Sequence, residues 1–318
     1  MAHRDHTLRW LALASFLLVV IACFVPGWLL NQMLFASARG LAVLGLLVLW
    51  RAGLVSLGGA LFFGLGAYSV ALLQRMAGIT DALLLLALAA GISGLSGFVL
   101  GFLLRRYRGI FFAMMNLAFS MILYGAAVKN RALGSTDGFG VAQPSFFGIT
   151  FAEPADAKLA LFAVLVVAGY AVMCCVHWYW KSTLGWLGAA VRDNEIRVEY
   201  LGYSVERVIH VKYTLSAVLG GLGGAFLAMG LGQVDPDSMI NWVASGEMLF
   251  VMILSGSASV AAPFVGSFLF ELLRTYALEV APLAWQFIIG ATLVLLILFA
   301  PNGVWSIFAR LFGRAAAR

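Results

Sequence analysis

The chain has 318 residues, of which 63% are hydrophobic and 11% are charged, and its mean hydropathy is +1.00. Soluble domains usually contain about 45–50% apolar and about 25% charged residues, so this composition excludes a soluble globular protein. The net charge of +6 does not indicate nucleic-acid binding, because no basic cluster interleaved with aromatic residues stands outside the apolar runs. We therefore expect one polytopic membrane domain covering residues 1–318.

Apolar runs of about 20 residues, the length that crosses a hydrocarbon core of about 30 Å, follow one another along the chain. The predicted spans are 10–30, 32–50, 56–73, 82–104, 110–128, 159–178, 208–230, 240–257, 261–278 and 283–299. The run 240–278 is too long for one helix and is interrupted by "SGSASVAAP", so it is divided into two passes, either of which could be re-entrant. The predicted fold is an all-α bundle of about ten transmembrane helices, within a range of about eight to ten.

Lysine and arginine are distributed unevenly between the two sides of this predicted bundle. With both termini in the cytoplasm, fourteen lie on the cytoplasmic side, and the five on the outer side are Arg75, Lys129, Arg131, Lys158 and Arg274. This is the positive-inside bias of a correctly oriented membrane protein. Arg39 is left inside the second span, where a charge costs about 2.5–3.5 kcal/mol on insertion scales. It either lines a functional pathway or snorkels to the outer interface.

One segment, "KSTLGWLGAAVRDNEIRVEYLGYSVER" (181–207), interrupts the apolar pattern on the cytoplasmic side. Residues 186–201 contain no proline and predict a short amphipathic helix, after which Gly202 is suited to a left-handed cap. This helix could be part of a solvated loop, a membrane-surface helix or a docking helix for another protein. Its positive and negative charges nearly cancel, which argues against attraction to anionic lipid, but composition alone does not decide.

Five stretches, in order, resemble permease subunits of branched-chain amino-acid ABC importers, a family that also has urea and amide relatives. They are "GLVSLGGALFFGLGAYSVALL" from Gly53, "LRRYRGIFFAMMNLAFSMILYGAAVKN" from Leu104, "LGSTDGFGV" from Leu133, "AAVRDNEIRVEYLGYSVERVIHVKYTLSAVLGGLGGAFLA" from Ala189, and "FIIGATLVLLILFAPNGV" from Phe287. Together they cover most of residues 42–304. The resemblance implies that segment 181–207 is the coupling loop that docks into an ATPase subunit. Glu195, Glu199 and Gly202 then fall on the docking motif, with Arg192 beside it.

The same resemblance implies the partners. The chain contains no G-x-x-x-x-G-K-[ST] sequence, the phosphate-binding loop of P-loop ATPases. Separate ATPase subunits are therefore expected to hold ATP and Mg, so that this chain is a transporter subunit and not an enzyme. An extracytoplasmic binding protein would capture the solute, and a second permease chain, related or identical, would complete the pore in the bacterial inner membrane. No cofactor or metal is expected on this chain, whose four histidines show no ligand spacing.

Candidate residues for the substrate pathway come from three regions. They are Ser56, Gly58, Gly59 and Tyr68 near the third span, Asn116, Phe119 and Ser120 in the fifth, and Arg39 in the second. Thr136 and Asp137 in "GSTDGFG" are expected to face the binding protein or the pathway mouth. Serine and asparagine in a span more often bond to a neighbouring helix, and a plain Gly-rich turn would have the same sequence. A branched-chain amino acid, another amino acid, urea or a short amide would all fit.

Two other classes of function are considered. An intramembrane enzyme would need partnered acid and base groups at depth, and the in-span acids Glu247 and Glu271 have no such histidine partner. A secondary transporter would be expected to show coupling-ion acids at the midplane and repeat symmetry, and neither is evident in the sequence. Dependence of uptake on ATP separates the secondary transporter from the ABC importer.

Overall fold

A computed structural model of the chain describes residues 7–149, 151–299 and 303–306. Its helices are α1 (Thr7–Ala22), α2 (Gly27–Trp50), α3 (Gly59–Ala77), α4 (Ala82–Leu104), α5 (Gly109–Lys129), α6 (Pro154–Lys181), α7 (Thr183–Asp193), α8 (Glu195–Tyr200), α9 (Val205–Leu231), α10 (Pro236–Met239), α11 (Trp242–Ser255), α12 (Ala262–Val280) and α13 (Trp285–Phe299). Two short strands, β1 (Phe139–Gly140) and β2 (Gln233–Val234), pair antiparallel. The fold is the predicted polytopic all-α membrane bundle.

Seven helical segments are long and apolar enough to cross a membrane: Gly27–Trp50, Gly59–Ala77, Ala82–Leu104, Gly109–Lys129, Pro154–Lys181, Val205–Leu231 and Pro236–Ser255. Two shorter apolar helices are Leu8–Ala22 and Trp285–Leu296. Helix α12 has 19 residues but carries three charged side chains. Every predicted span except 10–30 therefore coincides with one helix, and the division of 240–278 is confirmed, because α11 ends before Gly256, whose φ is +81°.

One predicted boundary is wrong. The span 10–30 is interrupted, because α1 ends at Ala22 and α2 begins at Gly27, directly after Pro26. Proline fixes φ near −65° and lacks an amide hydrogen, so it is compatible with the start of a helix but disrupts a helix interior. Hydropathy alone did not reveal this break, since the residues on both sides of it are apolar.

Helix α9 lies at the centre of the bundle and approaches its neighbours through glycines. A Cβ on Gly223 would lie 2.5 Å from the carbonyl oxygen of Ala38 in α2, and a Cβ on Gly224 would collide with the backbone of Phe63 in α3. Phe226, in the same turn, is fully buried. In lipid, small residues allow this close backbone approach, which increases van der Waals contact between helices.

After α9 the chain turns back into the bundle. Gly232, with φ +72°, ends α9, and β2 then leads into the short helix α10. The helical path breaks at Ile240 and Asn241 before α11 begins. Ile240 is 1% exposed, and the Ser120 hydroxyl, at the middle of α5, donates to its carbonyl oxygen at 3.0 Å. Broken helices at depth need such partners for the freed backbone groups, and transporters use them to build solute sites.

The connections between successive helices lie alternately at the two ends of the bundle. At one end, Arg192 packs on Gly53 and Arg108 bonds to Glu195. At the other end, Gln74 bonds to the backbone of Ala142, and β1 pairs with β2. This is the arrangement that successive crossings produce. Lys212 and Arg274, both counted for the orientation, lie in the interiors of α9 and α12 and not in a connection or at a helix end.

Candidate functional site

Segment 181–207 consists of two helices rather than one. The Ser182 hydroxyl caps α7, and Asn194 then adopts an extended conformation, with φ −163° and ψ 104°, and caps α8 by accepting from the Arg197 amide at 3.1 Å. The predicted continuous helix 186–201 is therefore wrong at Asn194. Asparagine competes for backbone amides through its side chain, which favours caps over helix interiors. Gly202 has the expected left-handed conformation, with φ +83°.

One side of this segment is fixed to the bundle. Val191 in α7 and Val198 in α8 are 2% and 1% exposed and belong to one apolar cluster with Leu54 and Phe112. The Arg192 side chain lies 3.2 Å from the position of a Cβ on Gly53, in the connection between α2 and α3.

Polar contacts also hold this side of segment 181–207 against the bundle. The Glu195 carboxylate accepts a hydrogen bond of 2.6 Å from Arg108, in the turn between α4 and α5. Glu206, at the start of α9, pairs with Arg105 of that turn at 3.0 Å. Of the four predicted coupling residues, the structure thus places Arg192 and Glu195 against the bundle.

The opposite side of the segment is exposed and apolar. Ile196, Tyr200 and Leu201 are 64%, 87% and 74% exposed, and they surround the exposed Glu199 and Gly202. Large apolar side chains exposed together, with charged residues around them, are typical of a protein interaction surface. We call Ile196, Glu199, Tyr200, Leu201 and Gly202 the α8 surface.

Behind α7 lie two basic side chains. Lys212 is 1% exposed, its Nζ lies 5.2 Å from the centre of the Tyr179 ring, and a Cβ on Gly188 would collide with its side chain. The Arg51 guanidinium stacks 3.9 Å from the centre of the Trp180 ring. Burial lowers the pKa of Arg51 from its usual value, but arginine remains protonated in proteins.

Polar groups recur every four residues along one face of α5. Asn116 donates to the Phe112 carbonyl at 2.8 Å and accepts from the Tyr213 hydroxyl of α9 at 2.7 Å. Ser120 bonds to Ile240, as described above. Tyr124, the next in the row, donates to the Asp237 carboxylate of α10 at 2.7 Å. We call Asn116, Ser120 and Tyr124 the α5 stripe.

The sequence analysis identified only part of this arrangement. It missed Tyr124, Tyr213 and Asp237, although the i, i+4, i+8 spacing of the stripe could have indicated Tyr124, since residues four apart share a helix face. Phe119 lies beside the stripe and is half-buried against the apolar cluster that contains Phe112.

The predicted pathway residues near α3 lie in two places, at the start of the helix and further along it. A Cβ on Gly58 would lie 2.6 Å from the Asn116 carbonyl oxygen, so α5 and the start of α3 nearly touch. Ser56 accepts from the Gly58 amide at 3.3 Å, and Gly59 packs against Met248 of α11. Tyr68 lies further along α3, where it is 6% exposed and its hydroxyl has no hydrogen-bond partner among the residues that the structure describes.

Thr136 and Asp137 lie on an exposed loop at the Gln74 end of the bundle. The Thr136 hydroxyl donates to Asp137 at 3.4 Å. The flanking Gly134 and Gly138 have φ of +86° and +69°, and a Cβ on Gly138 would collide with the Val234 carbonyl oxygen of β2. The glycines therefore fix this loop against the sheet, because other residues rarely adopt that conformation.

Arg39 forms a buried ion network at the middle of α2. Its Nη1 lies 2.9 Å from Glu271 Oε2 in α12, and its Nη2 lies 3.7 Å from Glu247 Oε2 in α11. Glu247 is also 3.7 Å from Arg274 Nη1. Arg39 is 8% exposed, so the snorkelling alternative is wrong, because its guanidinium is retained by carboxylates at depth. The two in-span acids are thus paired with arginines.

Comparison with known proteins identifies the family. The family model described as branched-chain amino acid transport system / permease component matches residues 28–297. The chain belongs to this permease family. The high-affinity branched-chain amino acid transport system permease protein LivM of Salmonella typhimurium is 27% identical over 286 residues, which are 82% of this chain and 67% of the relative. LivM of Escherichia coli K12 is 26% identical over the same coverage. No solved structure matches the chain.

The permease is therefore a membrane-spanning subunit of an ATP-binding-cassette importer, a transporter subunit and not itself an enzyme. The matched region contains segment 181–207, the α5 stripe and the Arg39 network. Within the described residues of the permease, no three His, Cys, Asp or Glu side chains come close enough together to hold a metal ion.

Proposed function

We propose that the permease works with separate P-loop ATPase subunits that dock on segment 181–207, and that ATP and Mg bind on those subunits. The α8 surface is the observation that carries this proposal. It exposes three large apolar side chains around Glu199, while Val191, Val198 and Glu195 hold the same segment against the bundle. A partner that binds the exposed apolar side chains can therefore move the bundle, because the opposite side of the same segment is held against it.

Segment 181–207 contacts several parts of the bundle, and these contacts can transmit its movement. Arg192 contacts the connection between α2 and α3, and Glu195 contacts the turn between α4 and α5. Near the end of the segment, Ser204 caps α9 by accepting from the Arg207 amide at 3.3 Å. Displacement of α7 and α8 would thus act on α3, α5 and α9, of which α5 carries the α5 stripe and α9 carries Tyr213, the partner of Asn116. Opening and closing between these helices would provide alternating access.

The solute we propose is a branched-chain amino acid, delivered by an extracytoplasmic binding protein. The LivM relatives are named for branched-chain amino acids. The pathway would pass Ser56, Gly58, Gly59 and Tyr68 near α3, and Asn116, Phe119 and Ser120 in α5. Thr136 and Asp137, exposed at the Gln74 end, would face the binding protein. Arg39 would act by holding α2, α11 and α12 together.

We further propose that residues 1–318 form a single permease domain in the bacterial inner membrane, with both termini in the cytoplasm. The positive-inside bias of the loops supports this orientation, since the end that carries segment 181–207 is the basic one. A second permease chain, related or identical, would complete the translocation pore.

Purification of the tagged permease in mild detergent tests the ATPase partnership. We expect a P-loop ATPase to copurify with the wild type and to hydrolyse ATP. Glu199→Lys places a positive charge among the exposed apolar side chains of the α8 surface, and Gly202→Pro cannot adopt φ +83°. We expect both variants to lose the ATPase.

The matched control is Glu153→Lys, the same change at an exposed residue before α6, at the opposite end of the bundle. It should retain the ATPase, and all variants should elute as monodisperse bundles. Copurification of the ATPase with both Glu199→Lys and Gly202→Pro at the wild-type level would refute docking on the α8 surface.

A further inference from the structure

An elongated cavity lies between α1 and the rest of the bundle. Its volume is about 280 Å³, and its walls come from α1, α2, α6 and the start of α12. Its lining extends from Leu11 to Leu18 along α1 and from Leu165 to Met173 along α6. A helix rises about 1.5 Å per residue, so the cavity is roughly 10–12 Å long in the direction of the helix axes. We call it the α1 cavity.

The lining of the α1 cavity is almost entirely apolar. Ser15 and Ser37 are the only polar side chains among its described lining residues. A buried water needs about two to four polar partners, and apolar cavities stay dry. Gly169 adds apolar space, because a Cβ there would lie 3.7 Å from the Phe264 ring, an ordinary contact distance. The cavity therefore suits a hydrocarbon chain better than water or a polar solute.

The α1 cavity opens toward the lipid. Ala14 and Leu18 line it and are exposed, Leu18 by 41%. On the other side of α1, Leu13 and Phe16 are 60% and 71% exposed, and a helix that is apolar all round is suited to a membrane. Within the bundle, α1 packs mainly on α6. A lipid chain that enters beside Leu18 would therefore contact the side of α1 that α6 leaves uncovered.

Residues suited to a lipid headgroup lie where α1 begins and α6 ends. Leu8 of α1 shares an apolar cluster with Tyr179 of α6, so these two helix ends are neighbours. Trp10 and Trp178 are 70% and 62% exposed there, and Arg9 is exposed. Tryptophan is enriched at the headgroup level of membranes, and basic residues attract anionic headgroups. A phospholipid whose chain fills the α1 cavity can therefore place its headgroup at the level of Arg9.

We infer that the α1 cavity binds an acyl chain of an anionic membrane phospholipid. The chain would supply the van der Waals contacts that the lining atoms of an empty cavity lack, and such packing holds helices together in lipid. It would connect α1 to α2 and α12 in addition to α6. The inference requires neither a docked ATPase nor a particular solute, so it stands independently of the proposed function.

Two variants close the α1 cavity from different helices. Gly169→Leu places a side chain inside it, and Ala14→Trp places a large ring at its opening, where Ala14 is exposed. The matched controls are Gly91→Leu and Ala87→Trp, the same changes at exposed residues of α4 that do not line the cavity. A Cβ on Gly91 meets no atom within 4 Å.

The probe is phosphatidylglycerol that carries a photoreactive diazirine in its acyl chain. The permease, with the subunits that copurify, is reconstituted into vesicles of phosphatidylethanolamine and phosphatidylglycerol that contain the probe. After irradiation, the labelled residues are located by digestion and mass spectrometry. Leu165 and Met173 line the cavity and are 1% and 8% exposed, so bulk lipid does not reach them. Val167 of the same helix does not line the cavity and is 65% exposed, so bulk lipid should label it in every sample.

We expect label at Leu165 and Met173 in the wild type. Gly169→Leu and Ala14→Trp should lose this label while Val167 keeps its own, because the chain no longer enters. Both control variants should match the wild type. Excess unlabelled phosphatidylglycerol should reduce the label at Leu165 and Met173.

Several results would overturn the inference. Absence of label at Leu165 and Met173 in the wild type would mean a dry cavity, or one that a second permease chain covers. Wild-type labelling of these two residues in Ala14→Trp, or its loss in a control variant, would also contradict binding in the cavity. Competition by free oleic acid but not by phosphatidylglycerol would exclude a phospholipid as the occupant. Because Ala14 is exposed, Ala14→Trp keeps the test decisive if Gly169→Leu fails to fold.

Discussion

Replacement of Arg39 by methionine should destabilise the bundle strongly. Arg39 and Glu271 have side chains that are 9% and 10% exposed and lie 2.9 Å apart at the middle of α2 and α12. Methionine fills the space of the arginine stem but leaves the Glu271 charge buried without its base. Breaking a buried pair by removing one partner costs about 3–5 kcal/mol, so we expect a loss of about that size in the free energy of unfolding.

The two acids of the network should respond differently. Glu271→Gln leaves Arg39 with Glu247, at 3.7 Å, and the new amide oxygen can still accept from the guanidinium. We therefore expect a smaller loss, of about 1–3 kcal/mol. The double variant Arg39→Met/Glu271→Met removes both charges, and replacement of a whole buried pair by apolar residues is often neutral. The double variant should be more stable than Arg39→Met.

These differences in the free energy of unfolding are measured by titrating the permease, purified in mild detergent, with a denaturing detergent. Tryptophan fluorescence reports the unfolded fraction. Arg75→Met is the control, because Arg75 is exposed and has no carboxylate partner among the described residues. Its effect should stay within about 0.5 kcal/mol. An Arg39→Met variant as stable as the wild type, or less affected than Glu271→Gln, would refute the structural importance of this network.

Two further predictions concern the coupling segment and the bundle core. Glu195→Arg alone should reduce ATPase copurification, and the charge exchange Arg108→Glu/Glu195→Arg should restore it. The reason is that Arg108 Nε and Glu195 Oε1 lie 2.6 Å apart on side chains that are only 30% and 37% exposed. Failure of the exchange to restore copurification would contradict a direct contact. Gly224→Leu should prevent stable folding, since its side chain would collide with the Phe63 backbone, and overpacking costs about 1–3 kcal/mol or more. Purified yield and the detergent unfolding midpoint check this second prediction, with Gly246→Leu as control, because a Cβ there meets no atom within 4 Å.

The membrane architecture could be predicted from the sequence because spans depend on local composition. The apolar runs identified all the long helices, and the low hydropathy of segment 181–207 marked it as distinct. The break between α1 and α2 was missed, since Pro26 stands between two apolar runs that together read as one span. The left-handed conformation of Gly202 was predicted because helices commonly end with a glycine in that conformation.

Contacts between distant residues could not be predicted in this way. The pairing of Arg39 with Glu271 joins positions 232 residues apart, and that of Tyr124 with Asp237 joins positions 113 apart. Such pairs depend on how helices pack, which the hydropathy pattern does not specify. The break at Asn194 was missed for a local reason, because the same residues also fit one amphipathic helix and the choice depends on side-chain capping.

The energy source of uptake tests the central claim most directly. The permease, with its copurified ATPase and the binding protein, is reconstituted into proteoliposomes, and solute uptake is measured with ATP, without ATP, and under an imposed proton or sodium gradient alone. The account predicts uptake that requires ATP and is lost in Glu199→Lys together with the ATPase. Solute accumulation by the permease alone, driven by an ion gradient without ATP, would contradict it and indicate a secondary transporter.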